Sequence, residues 1–209
     1  MNTEEAQRFN SIAKTALASV NPVVARQITE LCGISKGTAI DIGSGPGHLA
    51  IELAKHTNLS IFTLDVSVAM QPITSENILN AGFSDRIIPV TGNAMKMPFN
   101  DASADLIVSK GSVFFWDDLS ATFQEIHRVL KPGGKAFIGG GFGSFATFEE
   151  VRQTMDTIDP TWIDGVRKRL GTETADRLRD ALETAGIQNY EILQNSWQLW
   201  MIFGKEDDQ

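Results

Sequence analysis

Three glycines and two aspartates carry the clearest chemistry in this sequence of 209 residues. Gly43, Gly45 and Gly47 fall within AIDIGSGPGHLAIELA, residues 39–54, where a buried apolar run meets a glycine-rich turn that opens an amphipathic stretch. Glycine leaves no Cβ in the way of a ligand approaching the backbone. A helix start adds N–H groups without intrahelical partners. Asp41 lies two residues before Gly43, and Asp65 follows the next apolar run, 18 residues beyond Gly47. A carboxylate at that strand end can accept both hydroxyls of a ribose; the structural alternative is capping of a helix that starts near Val68. The spacing discriminates between nucleotides. A dinucleotide fingerprint requires glycine at position 48, where His48 stands, and no P-loop pattern of Gly-x-x-x-x-Gly-Lys-Ser/Thr occurs.

Composition narrows the partners. The net charge is −8, and the one dense basic run, Arg167-Lys168-Arg169, reads as the solvated face of a helix. A small or neutral substrate is favoured over nucleic acid. No stretch approaches the roughly 18 apolar residues of a membrane helix, and MNTEEAQRFN has no apolar signal core. The single Cys32 cannot form an internal disulfide and reads as a small buried hydrophobe. His48, His56 and His127 are too scattered to suggest a metal site. These features point to a cytoplasmic protein without a metal.

The elements that must position these residues alternate regularly. Residues 4–32 read as helical, with a second piece starting at Pro22. Strands are expected at Thr38–Gly43, Leu59–Leu64, Ile87–Thr91, Asp105–Ser109 and Lys135–Gly139. Helices are expected at Gly47–His56, at Val68–Ala81 with a kink at Pro72, and at Leu119–Leu130, the last stopped by Lys131-Pro132-Gly133-Gly134. Further helices read at 147–158, 161–170 and 173–185, with Thr172 as N-cap and Gly186 after the C-terminus. Two final strands, Gln188–Leu193 and Trp197–Phe203, suggest an antiparallel hairpin in which Trp197 and Trp200 face opposite sides. This pattern predicts an α/β fold: a seven-stranded, mostly parallel Rossmann-like sheet with helices on both faces. One domain is expected over residues 1–209, with a helical lid at 1–35, a cofactor-binding core at 36–140 and a substrate-side half at 141–209.

Four segments in order carry a resemblance: AIDIGSGPG, LDVSVAM ending at Met70, GNAMKMPFNDASADLIVS from Gly92, and RVLKPGGKAFI from Arg128. Over roughly residues 36–140 the chain resembles the class I S-adenosylmethionine-dependent methyltransferases. The resemblance implies that Gly43, Ser44, Gly45 and Gly47 pass under the methionine part of the cofactor, with Asp41 orienting the turn and reaching the amino group. Asp65 would hold the ribose hydroxyls, Val66 and Met70 would flank the adenine, and Ala94 would offer it a backbone N–H. Asn93 departs from the family pattern, which has aspartate there. It keeps an acceptor for the adenine amino group, with binding weakened by about 1 kcal/mol.

Methyl transfer from a sulfonium requires alignment more than acid–base help, so the resemblance needs no dedicated catalytic residue, and none is assigned. The residues facing the methyl group would be Ser109 to Trp116. Ser109 and Lys110 are cofactor-side candidates; Lys110 could equally neutralise an acidic substrate. Phe114 and Phe115 read as core residues under the next helix; the functional alternative is that Phe115 or Trp116 walls the acceptor pocket. Phe142, in the glycine-rich exit of the fifth strand, 139–143, could line the acceptor site; that segment reads as a hinge or as a simple bend. Phe9 would face inward from the lid. His48 and His127 read mainly as structural or surface residues. The expected activity is methylation of a small-molecule acceptor; the alternative is a non-enzymatic sensor or partner protein that binds S-adenosylmethionine or its demethylated product.

Overall fold

The computed structural model describes residues 1–206. Two helices, α1 (Thr3–Lys14) and α2 (Val20–Cys32), precede β1 (Lys36–Ile42), α3 (His48–His56) and β2 (Asn58–Asp65). Then follow α4 (Gln71–Ala81), β3 (Ile87–Thr91), β4 (Ala104–Lys110), α5 (Leu119–Val129) and β5 (Leu130–Gly141). The chain continues through α6 (Phe145–Ile158), α7 (Trp162–Leu170) and α8 (Thr172–Thr184) into β6 (Tyr190–Asn195) and β7 (Gln198–Gly204).

The seven strands form one sheet in the order β3-β2-β1-β4-β5-β7-β6. β1 to β5 pair in parallel, and β7 runs antiparallel to both β5 and β6. Successive strand residues point to opposite faces. Ile40, Ile42, Leu106, Ile107 and Val108 are nevertheless all buried, so helices cover both faces at the centre of the sheet. α2 packs beside α3, and α5 beside α8. Among the described residues no helix is long and apolar enough to cross a membrane, and no three metal-ligating side chains gather.

Four expectations are corrected. Pro72 sits at the start of α4, behind a short 3-10 turn at Val68–Met70, where its missing N–H costs nothing and no kink results. Lys131–Gly134 lies within β5 as an irregularity in its pairing with β4: Ala104 opposes Leu130 and Leu106 opposes Lys135. The Asp105 carboxylate braces this point, accepting the Thr38 N–H and the Lys131 ammonium at 2.7 Å each. Thr172 is the first residue of α8 rather than its cap, because Gly171 supplies the extended cap backbone. The glycines at 139–141 are no hinge. They pair with Trp200, Leu199 and Gln198 of β7, and a Cβ on Gly139 or Gly140 would collide with Leu199 or the Phe114 ring. They allow β5 to pack tightly against β7 and the Phe114 ring.

The first β-strand and the fourth are neighbours whose connections run to opposite sides of the sheet. A crevice must therefore open beyond their carboxyl ends. The glycine turn and the Lys110 segment are the loops that line it.

Candidate active site

The glycine turn is held by its own hydrogen bonds. The N–H groups of Gly43 and Ser44 donate to Leu64 O at 2.7 and 3.2 Å, and that of Gly47 donates to Ser44 O at 3.0 Å. The Gly45 N–H donates to Asp65 Oδ2 at 2.8 Å. From the other side, the Thr74 hydroxyl donates to Gly45 O at 2.7 Å and the Asn77 amide to Pro46 O at 2.9 Å. The expected row of free N–H donors is therefore absent from these four positions. A turn whose donors are spent, beside two carboxylates, is a poor host for a pyrophosphate and a good one for a cation.

Asp65 is tied at both oxygens, since Oδ1 accepts the Ser67 N–H at 2.8 Å. Each oxygen retains a lone pair, so the fixed carboxylate can still receive a diol. It caps no α-helix.

Asp41 is almost fully buried, and its Oδ2 has no hydrogen-bond partner. Burial pushes its pKa up to about 7; Lys110 opposes that shift, Asp65 adds to it, and the Ala50 backbone hydrogen bond opposes it. Burial likewise lowers the Lys110 pKa, against the pull of Asp41. Asp41 and Lys110 share a small chamber of about 60 Å³ with Asn21, Ser44 and His48. Asn21 Oδ1, Ser44 Oγ and His48 Nε2 also lack partners there. Burial keeps His48 below its ordinary pKa, so it is neutral near pH 7.

The chamber adjoins a cleft of about 670 Å³. Gly43, Gly45, Asp65, Val66, Met70 and Lys110 line one end of it, with Asn93 and Ala94 beside them. Asn93 Oδ1 accepts the Met95 N–H at 2.9 Å, which fixes the amide and uses one of its lone pairs. Phe9 of α1 also reaches the cleft; a Cβ on Gly45 would stand 3.2 Å from its ring. Asn77 pins α1 from below by donating to Asn10 Oδ1 at 3.0 Å.

Of the expected site residues, Asp41 and Ser44 line the chamber rather than the cleft, and Ser109 and Gly47 line neither. Ser109 is fully buried, its hydroxyl 2.7 Å from that of Ser112, which in turn donates to Ile42 O at 3.0 Å. Strand alternation turns Ser109 inward, and Ser112 takes the lining position. Gly47 caps the start of α3, with Thr74 Cγ2 3.0 Å from where its Cβ would stand. The core reading of Phe115 is also corrected: it is 75% exposed at the cleft rim, while Phe114 and Trp116 line the wall half-buried. His127 is half-buried on α5, away from the cleft lining.

The far wall comes largely from residues not singled out in the sequence. Phe142 packs edge-on to Trp162, ring centroids 5.6 Å apart. Trp162, Val166, Arg169 and Leu170 all line the cleft from α7. Their spacing of four, three and one is a helical stripe, and that periodicity was the available signal. Of the basic run, only Arg167 and Lys168 are solvated; Arg169 turns inward.

Comparison with known proteins gives the family. A model of the methyltransferase domain matches residues 40–138. The chain is 26% identical over 186 residues to methyltransferase GfsG of Streptomyces halstedii, covering 87% of this chain and 64% of that protein. It is 34% identical over 109 residues to demethylmenaquinone methyltransferase of Chlorobaculum tepidum, covering 52% and 43%. The chain thus spans less than two thirds of the length of these curated relatives. The crystal structure of a Methanococcus maripaludis protein described as an S-adenosyl-L-methionine-dependent methyltransferase superposes with a TM-score of 0.96 at 42% identity, covering 100% of this chain and 95% of the other. With a turn suited to a cationic adenosyl ligand and a relative alike along almost its whole length, the chain belongs to the class I S-adenosylmethionine-dependent methyltransferases.

Proposed function

We propose that the chain transfers a methyl group from S-adenosylmethionine to a small-molecule acceptor held in the aromatic half of the cleft. The carrying observation is Asp41: a buried carboxylate with an unpartnered oxygen beside a turn without spare donors. Such a group is costly unless a ligand cation completes it. The α-ammonium of the cofactor's methionine end fits Asp41, and its carboxylate fits Lys110. Asp65 then receives the ribose hydroxyls, Val66 and Met70 flank the adenine, and Asn93 and Ala94 meet its edge.

When bound, the cofactor supplies an electrophilic methyl group on a sulfonium. The chain's own contribution is to hold two ligands in line and to exclude water. Orientation of this kind is worth roughly 7–11 kcal/mol. Phe114, Trp116 and Phe142 supply apolar walls, and α1, pinned by Asn77, closes the cofactor end as a lid over the 36–140 core. Residues 141–209 serve the acceptor side. A net charge of −8 and an aromatic-walled cleft suit a small acceptor better than a polyanion. The free, buried Cys32 suits the reducing cytoplasm.

Calorimetry with S-adenosylhomocysteine tests the cofactor site directly. Micromolar binding is expected, followed by methyl transfer in a mass-spectrometric screen of small acceptors. Absence of binding to the intact chain would overturn the proposal. Binding without transfer to any acceptor would favour the sensor reading.

A further inference from the structure

α7 presents a stripe of Trp162, Val166, Arg169 and Leu170 to the cleft, and Arg169 is the one charged member. Its guanidinium lies back along the helix over Gly165, where a Cβ would stand 3.3 Å from one of its terminal nitrogens. Glycine inside a helix costs about 1 kcal/mol relative to alanine. Here it leaves the groove in which the guanidinium rests. Arg169 makes no hydrogen bond or ion pair to the described residues; Arg8, Arg26 and Arg177 make none either, but those three are exposed to solvent and Arg169 is half-buried.

The other charged groups lining the cleft do not offset it. Asp65 lines the glycine-turn end, its oxygens held by the Gly45 and Ser67 N–H groups, and makes no contact with Arg169. Lys110 faces Asp41. Asp117 stands exposed at the rim. Burial alone pulls the Arg169 pKa down, with no carboxylate acting on it. A half-buried guanidinium with five donors and no acceptor, on an aromatic wall, is a site for an anion.

We infer that the acceptor is a carboxylate on an apolar, ring-bearing body, its anionic group gripped by Arg169 and its body held by Phe142, Trp162 and Val166. The word acceptor rests on the methyl-transfer proposal above; the anion site itself does not. A neutral acceptor would leave the guanidinium half-desolvated and unpaired.

The probe pair is 2-naphthoate and 2-naphthamide, alike in shape and different in charge, titrated calorimetrically into the protein with and without S-adenosylhomocysteine. The carboxylate is expected to bind at least tenfold more tightly than the amide. Arg169→Gln is expected to bring the two within twofold, Arg169→Lys to restore part of the difference, and Arg167→Gln, on the solvated face, to change nothing. Thermal melting and S-adenosylhomocysteine binding of each variant report whether it folds. Equal binding of the two probes, binding of neither, or a preference that survives Arg169→Gln would overturn the inference. Arg169-dependent naphthoate binding without S-adenosylhomocysteine binding would keep the anion site and remove the methyl-transfer reading instead.

Discussion

At the glycine-turn end of the cleft, the lining is built from backbone. Gly43 to Gly47 are fixed by hydrogen bonds to Leu64, Asp65, Thr74 and Asn77, and the reactive side chains sit on strand ends. At the α7 end, the lining is built from side chains alone: rings, aliphatic groups and a single guanidinium on one helical face. Backbone-held groups are pre-organised and tolerate little change. Side-chain walls can be exchanged one residue at a time, which suits the half that would choose an acceptor.

The largest test of this contrast is Asp41. Its pKa, about 7 in the folded chain, lies above the ordinary value of 3.8. Its contribution to stability is therefore present below pH 4 and lost as pH rises through 7, by up to about 4 kcal/mol. Asp41→Asn should leave melting unchanged near pH 4 and raise it at pH 8 in the ligand-free protein, while weakening S-adenosylhomocysteine binding. In the wild type, that binding should fall about tenfold per pH unit below 7. A flat profile would mean that Asp41 does not meet the ammonium.

Asp65→Ala comes next. It removes the hold on the Gly45 and Ser67 N–H groups together with the diol acceptor. S-adenosylhomocysteine affinity should drop about a hundredfold, as two charge-assisted hydrogen bonds imply. If calorimetry finds less than fivefold, the backbone-held end is not where ribose binds.

Gly165→Ala separates the two ends. It should raise helix stability by up to about 1 kcal/mol in thermal melts. It should also displace the Arg169 guanidinium and weaken 2-naphthoate severalfold, leaving S-adenosylhomocysteine untouched. Loss of both ligands would show that the ends are coupled.

The smallest effect is expected from Asn93→Asp, which restores the family's usual residue and keeps an acceptor for the Met95 N–H. Affinity for S-adenosylhomocysteine should rise by no more than about fivefold, within the worth of one hydrogen bond.

Most of the glycine-turn end is legible in the sequence, because its signals are short-range. A strand-turn-helix with three glycines, and an aspartate at the next strand end, state their geometry locally. The strand and helix order followed for the same reason: apolar periodicity reports burial wherever both faces are covered. The α7 end was not legible in this way. Arg167, Lys168 and Arg169 look alike as a run, and only the docking of α7 turns the third into the cleft. Ser109 and Ser112 likewise differ only in which way strand and turn direct them. The Asn10–Asn77 tether joins residues 67 apart, beyond any local pattern. The sequence by itself determined the strands, the glycine turn and the two carboxylates beside it, since each depends on spacing within or next to one element. Tertiary structure alone decided which N–H groups are spent, which carboxylate is left unpartnered and which arginine faces the cleft, because those depend on how separate elements pack against one another.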